Sequence, residues 1–400
     1  MGPSLGVVTT HPIQYYAPWF RHLAQRMRLM VLYAHRQDAV GQGEAGFGVP
    51  FDWDVDLLEG YPYRWLDNVA RRPGGGSFFG YDTPEIGEIM RRERFDAVLV
   101  LGWNYKTALQ AVTACRRQGI PVVMRGDSQL ETRRSVVKRA AKWPLYRALL
   151  PRFRHLYVGA RNLRYLRHYG VPADRLFFAP HFVDNHFFRE GAARARERGA
   201  RRVVREFIGI PEHAFVCVYV GKFLRHKRAE DLVRACGVLA GASRVDPVHA
   251  VLIGDGPLRA ELETLAGEVP GFVHFLGFKN QSELPGLYAA CDALVLPSTA
   301  RETWGLVVNE AMACGLPAVV SDEVGCSPDL IDPGRSGYTY PMGDVGALAD
   351  ALGAVRSLRA RRASDLERAL EEKMRTYSIE GATRGLTAML ESLPDSSVSR

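Results

Sequence analysis

The feature that most restricts how this chain can fold is a repeated alternation. Short apolar, β-branched runs bounded by turns are each followed by a stretch with helical spacing. In the first half the runs are Leu5 to Thr9, Met30 to Tyr33, Ala97 to Leu101, Pro121 to Met124, His155 to Val158 and Leu176 to Ala179. Such runs fit strands covered on both faces, and their alternation with helices predicts a parallel sheet. The stretch Arg189 to Arg205 is polar, rich in Ala and Arg, and reads as linker and then helix. The pattern then restarts at Ala214 to Val220, His249 to Ile253, Phe272 to Phe275, Ala293 to Pro297, Pro317 to Val320 and Gly337 to Tyr340. With 400 residues, too many for one ordinary core, the expectation is an α/β chain of two doubly wound domains, 1–188 and 200–375. From Leu366 onward the pattern is helical. Ligands of such sheets bind beyond the carboxyl ends of the strands, so two facing units would make a cleft.

Hydrophobic content of 47% and 24% charged residues fit a soluble globular chain. No uninterrupted apolar run approaches the roughly 20 residues of a membrane span. The start MGPSLGVVTTHPIQ lacks a basic region followed by a long apolar one, so the expected location is the cytoplasm. Six cysteines without a C-x-x-C pair suggest buried thiols, with no metal site and no disulfide framework. The net charge of +8 is localised. Between Thr132 and His168 lie eleven of the 52 Lys and Arg and no Asp or Glu, which leaves 41 basic against 44 acidic residues elsewhere.

Loops after strands are where chemistry is expected. The strand VCVYV runs into Gly221-Lys222-Phe223-Leu224-Arg225-His226-Lys227. A glycine turn, a helix N-terminus and the charges of Lys222 and Lys227 would suit an anion, most simply a diphosphate. A solvated basic turn is the plain alternative. Ile253-Gly254-Asp255-Gly256-Pro257 reads first as a structural turn. Behind Phe272 to Phe275, Gly277 and Phe278 would let a flat base approach the backbone.

The segment RETWGLVVNE places Glu302 and Glu310 eight positions apart. Leu306, Val307, Ala311 and Cys314 predict one buried face of a helix starting near Trp304 or Gly305 and stopping at Gly315. Eight residues of helix span about 12 Å, roughly the reach from a sugar through a diphosphate to a ribose. Carboxylates accept hydrogen bonds and sugar hydroxyls donate them, so Glu302 would grip a transferred sugar and Glu310 a ribose. Amides of Thr303, Trp304, Gly305, Leu306 and Val307 would face the phosphates. Two solvated helix carboxylates are the alternative.

ETWGLVVNEAMACGLPAVVSD, followed by Gly325 and DLIDPGRSGYTYPMGD, resembles the signature region of retaining glycosyltransferase family 4. The Glu-x7-Glu spacing, VGKFLRHK, IGDGP, HFLGF and CDALVLPS occur in that family's order, across residues 214 to 345. The resemblance implies the GT-B arrangement of two Rossmann-like domains and a C-terminal helix, 376–400, crossing back to the first. It also implies a nucleotide-sugar donor (UDP- or GDP-sugar), no metal and no other cofactor, and retention of anomeric configuration. The acceptor would be a glycan, a lipid-linked molecule or a small molecule. On that basis Glu302, Lys222 and Lys227 are expected catalytic groups, and Asp127 joins them from its own place after a strand of the first domain. Donor binding would fall to Glu310, 303–307, Gly221, Gly277, Phe278, His11, Gln14 and Arg125.

The first domain departs from the family pattern. THPIQY stands where relatives often carry a Gly-Gly loop, as in a subgroup with this motif, so His11 and Gln14 would touch the donor phosphate or the acceptor. Arg125-Gly126-Asp127-Ser128 replaces a usual histidine, with Arg125 expected at phosphate and Asp127 at a sugar hydroxyl. The basic segment 132–168 interleaves its charges with Trp143, Leu145, Tyr146 and Phe153. It reads either as a surface for anionic lipid on the inner face of the cytoplasmic membrane or as a solvated basic face. Nucleic acid is not expected, since no recognisable binding motif accompanies it. An epimerase or hydrolase on the same plan, and a nucleotide-sugar-binding protein without catalysis, are the rival readings.

Overall fold

The computed structural model describes residues 3–37, 48, 50–132, 136–242 and 248–394. The first sheet contains β1 (Ser4–Thr9), β2 (Arg28–Tyr33), β3 (Tyr63–Trp65), β4 (Ala97–Leu101), β5 (Val122–Gly126), β6 (Arg154–Tyr157) and β7 (Leu176–Phe178). All its pairings are parallel, in the order β3-β2-β1-β4-β5-β6-β7. The second holds β8 (Phe215–Val220), β9 (Val248–Ile253), β10 (Val273–Gly277), β11 (Ala293–Leu296), β12 (Ala318–Ser321) and β13 (Gly337–Tyr340), also parallel, in the order β10-β9-β8-β11-β12-β13. In both sheets the order reverses beside the first strand, the position where open α/β sheets leave a crevice. The central strands β1, β8, β9 and β11 are buried almost throughout, which explains their unbroken apolar sequence.

Three differences from the sequence-based expectation have physical reasons. The short edge strand β3 carries two exposed side chains and one half-buried, so no apolar run announces it. Arg189 to Arg205 holds no extended linker: helices Asn185–Glu197 and Ala200–Phe207 meet at Gly199. Arg205 is 1% exposed and donates to Asp292 Oδ2 at 2.8 Å, while Arg201 donates to Oδ1 at 2.8 Å. A buried arginine fully used by a carboxylate and carbonyls takes the place of the apolar face that would mark a packed helix.

The basic segment is the third. Residues 133–135 lie outside the described residues, and Arg154, Arg161 and Arg164 do not share one face. Arg154 begins β6. Arg161 is buried and donates to the Glu323 carbonyl at 2.7 Å and Ser327 Oγ at 3.1 Å, across to the second domain. Arg164 pairs with Glu131 at 2.6 Å. In the helix Val136–Leu149, Trp143 and Leu145 are 46% and 59% exposed. Among the described residues, no helix is long and apolar enough to cross a membrane.

The helix Ile379–Glu391 buries Ala382, Leu386 and Met389 in the core of the first domain, and Trp19 Nε1 donates to Thr383 Oγ1 at 3.1 Å. Residues 395–400 of the expected terminal helix lie outside the described residues.

Candidate active site

The loops after β1, β5, β8 and β11 meet between the two sheets. On the second domain, β8 ends at Val220 and turns at Gly221. The turn after β9 lies directly against it. A side chain at Gly254, whose φ is +141°, would place its Cβ 1.9 Å from the Gly221 carbonyl oxygen, so only glycine lets the two turns abut. The next turn, Arg225–Lys227, carries Lys227 to an ion pair with Glu302 Oε2. Ser298 Oγ donates to the same oxygen at 3.2 Å. Lys222 is half-buried, and burial together with the neighbouring Lys227 charge lowers its pKa. The Lys222 and Lys227 ammonium groups together make these turns suited to an anion.

Helix Leu306–Ala313 begins after Gly305, which has φ +99°. A Cβ there would lie 2.6 Å from Leu296 Cδ2, so the chain needs glycine to enter the helix against β11. The helix starts a residue or two later than its spacing predicts and is buried nearly all round. Leu306 and Val307, expected on the buried face, are the half-buried ones. Amides of the first turn have no carbonyl partner within the helix and carry its positive end. The Trp304 indole is buried and donates to Asn309 Oδ1 at 2.8 Å, beside the His181 ring at 5.3 Å.

Glu310 is 2% exposed, which removes the solvated-face alternative. Tyr15 Oη, from the first domain, donates to its Oε1 at 2.8 Å, and Tyr288 Oη donates to Oε2 at 2.7 Å. Burial pushes the Glu310 carboxyl up to about 7, against the opposing effect of these two hydrogen bonds.

The first domain supplies the opposite wall. Asp127, after β5, accepts from Thr303 Oγ1 at 2.5 Å, so two expected site residues are joined across the domains. Gln129 Nε2 donates to the Ala300 carbonyl at 2.8 Å beside them. Gln14 and Tyr15 line a cavity of about 110 Å³ with Gly221, Phe278, Gln281, Val307 and Glu310. Gly277 closes β10 with φ +69° at the edge of this region.

One assignment in the first domain changes. Arg125 is 2% exposed and donates to the Ala179 and Pro180 carbonyls at 2.5 and 2.9 Å, with its guanidinium over the Trp19 and Phe182 rings. It ties β5 to the chain after β7, and those bonds leave it no phosphate-binding fork. His11 is held neutral, its pKa lowered to about 4 by burial and then by His35. Thr10 Oγ1 lies 3.0 Å from its Nδ1, so it offers a neutral imidazole and no positive charge.

Sequence reasoning missed Tyr15, Tyr288 and Ser298. Tyr15 follows Gln14 in the singled-out THPIQYY motif. Tyr288 lies three residues before CDALVLPS and Ser298 ends that motif, and neither had a spacing signal of its own.

Solved structures share this architecture over nearly the whole chain. A glycosyltransferase from Rickettsia africae matches at TM-score 0.73 with 13% identity, covering 99% of this chain and 100% of that one. HepE from Anabaena, solved with UDP and glucose, matches at 0.68 with 18% identity, covering 98% and 100%. The fold is GT-B: two Rossmann-like domains facing across a cleft.

Residues 200–375 match the family model described as glycosyl transferases group 1. D-inositol 3-phosphate glycosyltransferase of Corynebacterium jeikeium is 35% identical over 192 residues, 46% of this chain and 44% of that protein. N-acetyl-alpha-D-glucosaminyl L-malate synthase of Bacillus anthracis is 31% identical over 169 residues, 42% of this chain and 41% of that protein. The chain thus spans less than half the length of these curated relatives.

Proposed function

We propose that the protein transfers a sugar from a nucleotide-sugar donor, a UDP- or GDP-sugar, to a glycan, lipid-linked or small-molecule acceptor, with retention of configuration. The observation that carries this reading is the Lys227–Glu302 pair beside Lys222, at the positive end of helix Leu306–Ala313. The cations and free amides neutralise the charge that grows on a departing diphosphate, using dipoles already in position. Glu302 holds sugar hydroxyls close to the same anion, and Glu310 holds the ribose. The names of the relatives support glycosyl transfer, and HepE was solved with UDP and glucose.

The bond from the anomeric carbon to the diphosphate oxygen breaks, and a bond to the acceptor oxygen forms on the same face. The acceptor proton passes to the leaving phosphate, so no enzyme base is assigned. Lys222 and Lys227 supply positive charge that a metal would otherwise provide, and metal-independent transfer is part of the proposal. Glu302 and Glu310 have separate partners, and the glycosidase arrangement of two carboxyls flanking one bond does not describe them.

A peripheral site on the inner face of the cytoplasmic membrane rests on the exposed Trp143 and Leu145. A panel of nucleotide sugars tested by thermal shift checks the donor reading, because a ligand that binds only the folded state raises its melting temperature. No shift with any UDP- or GDP-sugar contradicts it. Donor breakdown at an undiminished rate without acceptor would favour the epimerase or hydrolase.

A further inference from the structure

A loop of the first domain crosses to the second. Asn280 Nδ2 donates to the Asp52 carbonyl at 2.6 Å, and the Ser282 amide donates to Asp54 Oδ1 at 3.2 Å. Ser282 Oγ donates to the same carboxylate. Phe51 lies against Phe278, with ring centroids 4.5 Å apart at 38°. The polar contacts join positions 228 residues apart in sequence, and together with the ring contact they fix the loop at two polar points and one apolar one.

Between the anchors sits Trp53, edge-on to Phe51 at 5.0 Å and 89°. It lines the 110 Å³ cavity together with Phe278, Gln281 and Leu284, and Glu310 lines it too. Gln281 is 5% exposed, and its Oε1 has no hydrogen-bond partner among the described residues. A buried amide oxygen without a partner is unfavourable unless a ligand supplies the donor.

We infer that Trp53 covers a nucleobase from the first-domain side and that Gln281 accepts a hydrogen bond from the base edge, so the base is held by both domains. This rests on the proposed nucleotide-sugar reading. A planar aromatic ring presents a face that any base can stack on, while an amide oxygen requires an N–H on the base edge. Uracil and guanine each carry a ring N–H of that kind. Because the loop anchors to residues 280 and 282, filling the base site also favours contact between the domains.

The test is calorimetric titration of the full chain with UDP, GDP and inorganic pyrophosphate. Wild type should bind at least one nucleoside diphosphate more tightly than pyrophosphate. Trp53→Ala should weaken that nucleoside diphosphate by about ten- to a hundredfold, and Gln281→Ala by about tenfold, with pyrophosphate unchanged in both. Trp53→Phe should restore most of the loss, which a merely misfolded loop would not show. If wild type binds a nucleoside diphosphate and Trp53→Ala binds it equally well, this inference is overturned and the donor reading stands. If wild type binds neither nucleoside diphosphate, both fall.

Discussion

Tyr15 Oη lies 2.8 Å from Glu310 Oε1, a hydrogen bond between the two domains onto the carboxylate proposed to hold the donor ribose. Removing the hydroxyl strips a buried acceptor of one donor, at a cost of about 1–3 kcal/mol. Tyr15→Phe should therefore lower the melting temperature of the ligand-free protein by several degrees. Part of that loss should disappear with bound donor, as ribose hydroxyls take over the vacated oxygen. Thermal melts with and without the donor measure both effects.

The Glu310 carboxyl titrates near 7 in the folded protein and has an ordinary value of 4.5. Between those values the unfolded chain has lost its proton while the folded one keeps it, so the stability contributed by this group falls as pH rises. It is fully present below about 4.5 and gone above about 7. Urea denaturation across this window should show the stability difference between wild type and Glu310→Gln shifting against wild type as pH increases. A difference that stays constant would contradict the burial of a titrating carboxyl here.

Gly159 faces the second domain, and a Cβ there would lie 2.4 Å from the Trp304 ring and 2.9 Å from an Asp329 carboxylate oxygen. Its backbone is extended, with φ 177°, so alanine meets a clash and no backbone strain. Gly159→Ala should destabilise the contact between the domains by about 1–3 kcal/mol. Turnover should fall while each domain keeps its fold, as checked by steady-state kinetics beside circular dichroism.

How much of this was legible beforehand follows from sequence distance. The strands of both sheets except the edge strand β3 could be read because a parallel strand covered on both faces must be a continuous apolar run. Glu302, Glu310, Lys222 and Lys227 stood out because their motifs fall in one order along the chain. The partners of those residues did not. Tyr15 reaches Glu310 across 295 positions, Asp127 reaches Thr303 across 176, and neither spacing has a local signature. Arg125 read as a phosphate ligand and Arg205 as part of a polar helix, because charge ordinarily goes to a ligand or outward. Only the carbonyls and the carboxylate that surround them explain why they are buried.

Exposed Trp143 and Leu145 on a basic helix predict salt-sensitive binding to vesicles rich in anionic lipid. Wild type should co-sediment with them at low salt and be released at high salt. The double variant Trp143→Ser, Leu145→Ser should bind several-fold more weakly at low salt. Equal binding by both proteins would remove this helix from the account.

The Lys227–Glu302 pair, proposed to serve glycosyl transfer to an acceptor, is tested most directly by the release of nucleoside diphosphate in the presence of donor and acceptor. Lys227→Ala and Glu302→Gln should each lower the turnover number by about a hundredfold or more, with thermal melts showing both variants folded. Near-normal turnover by both variants would contradict the assignment of this cleft as the site of transfer.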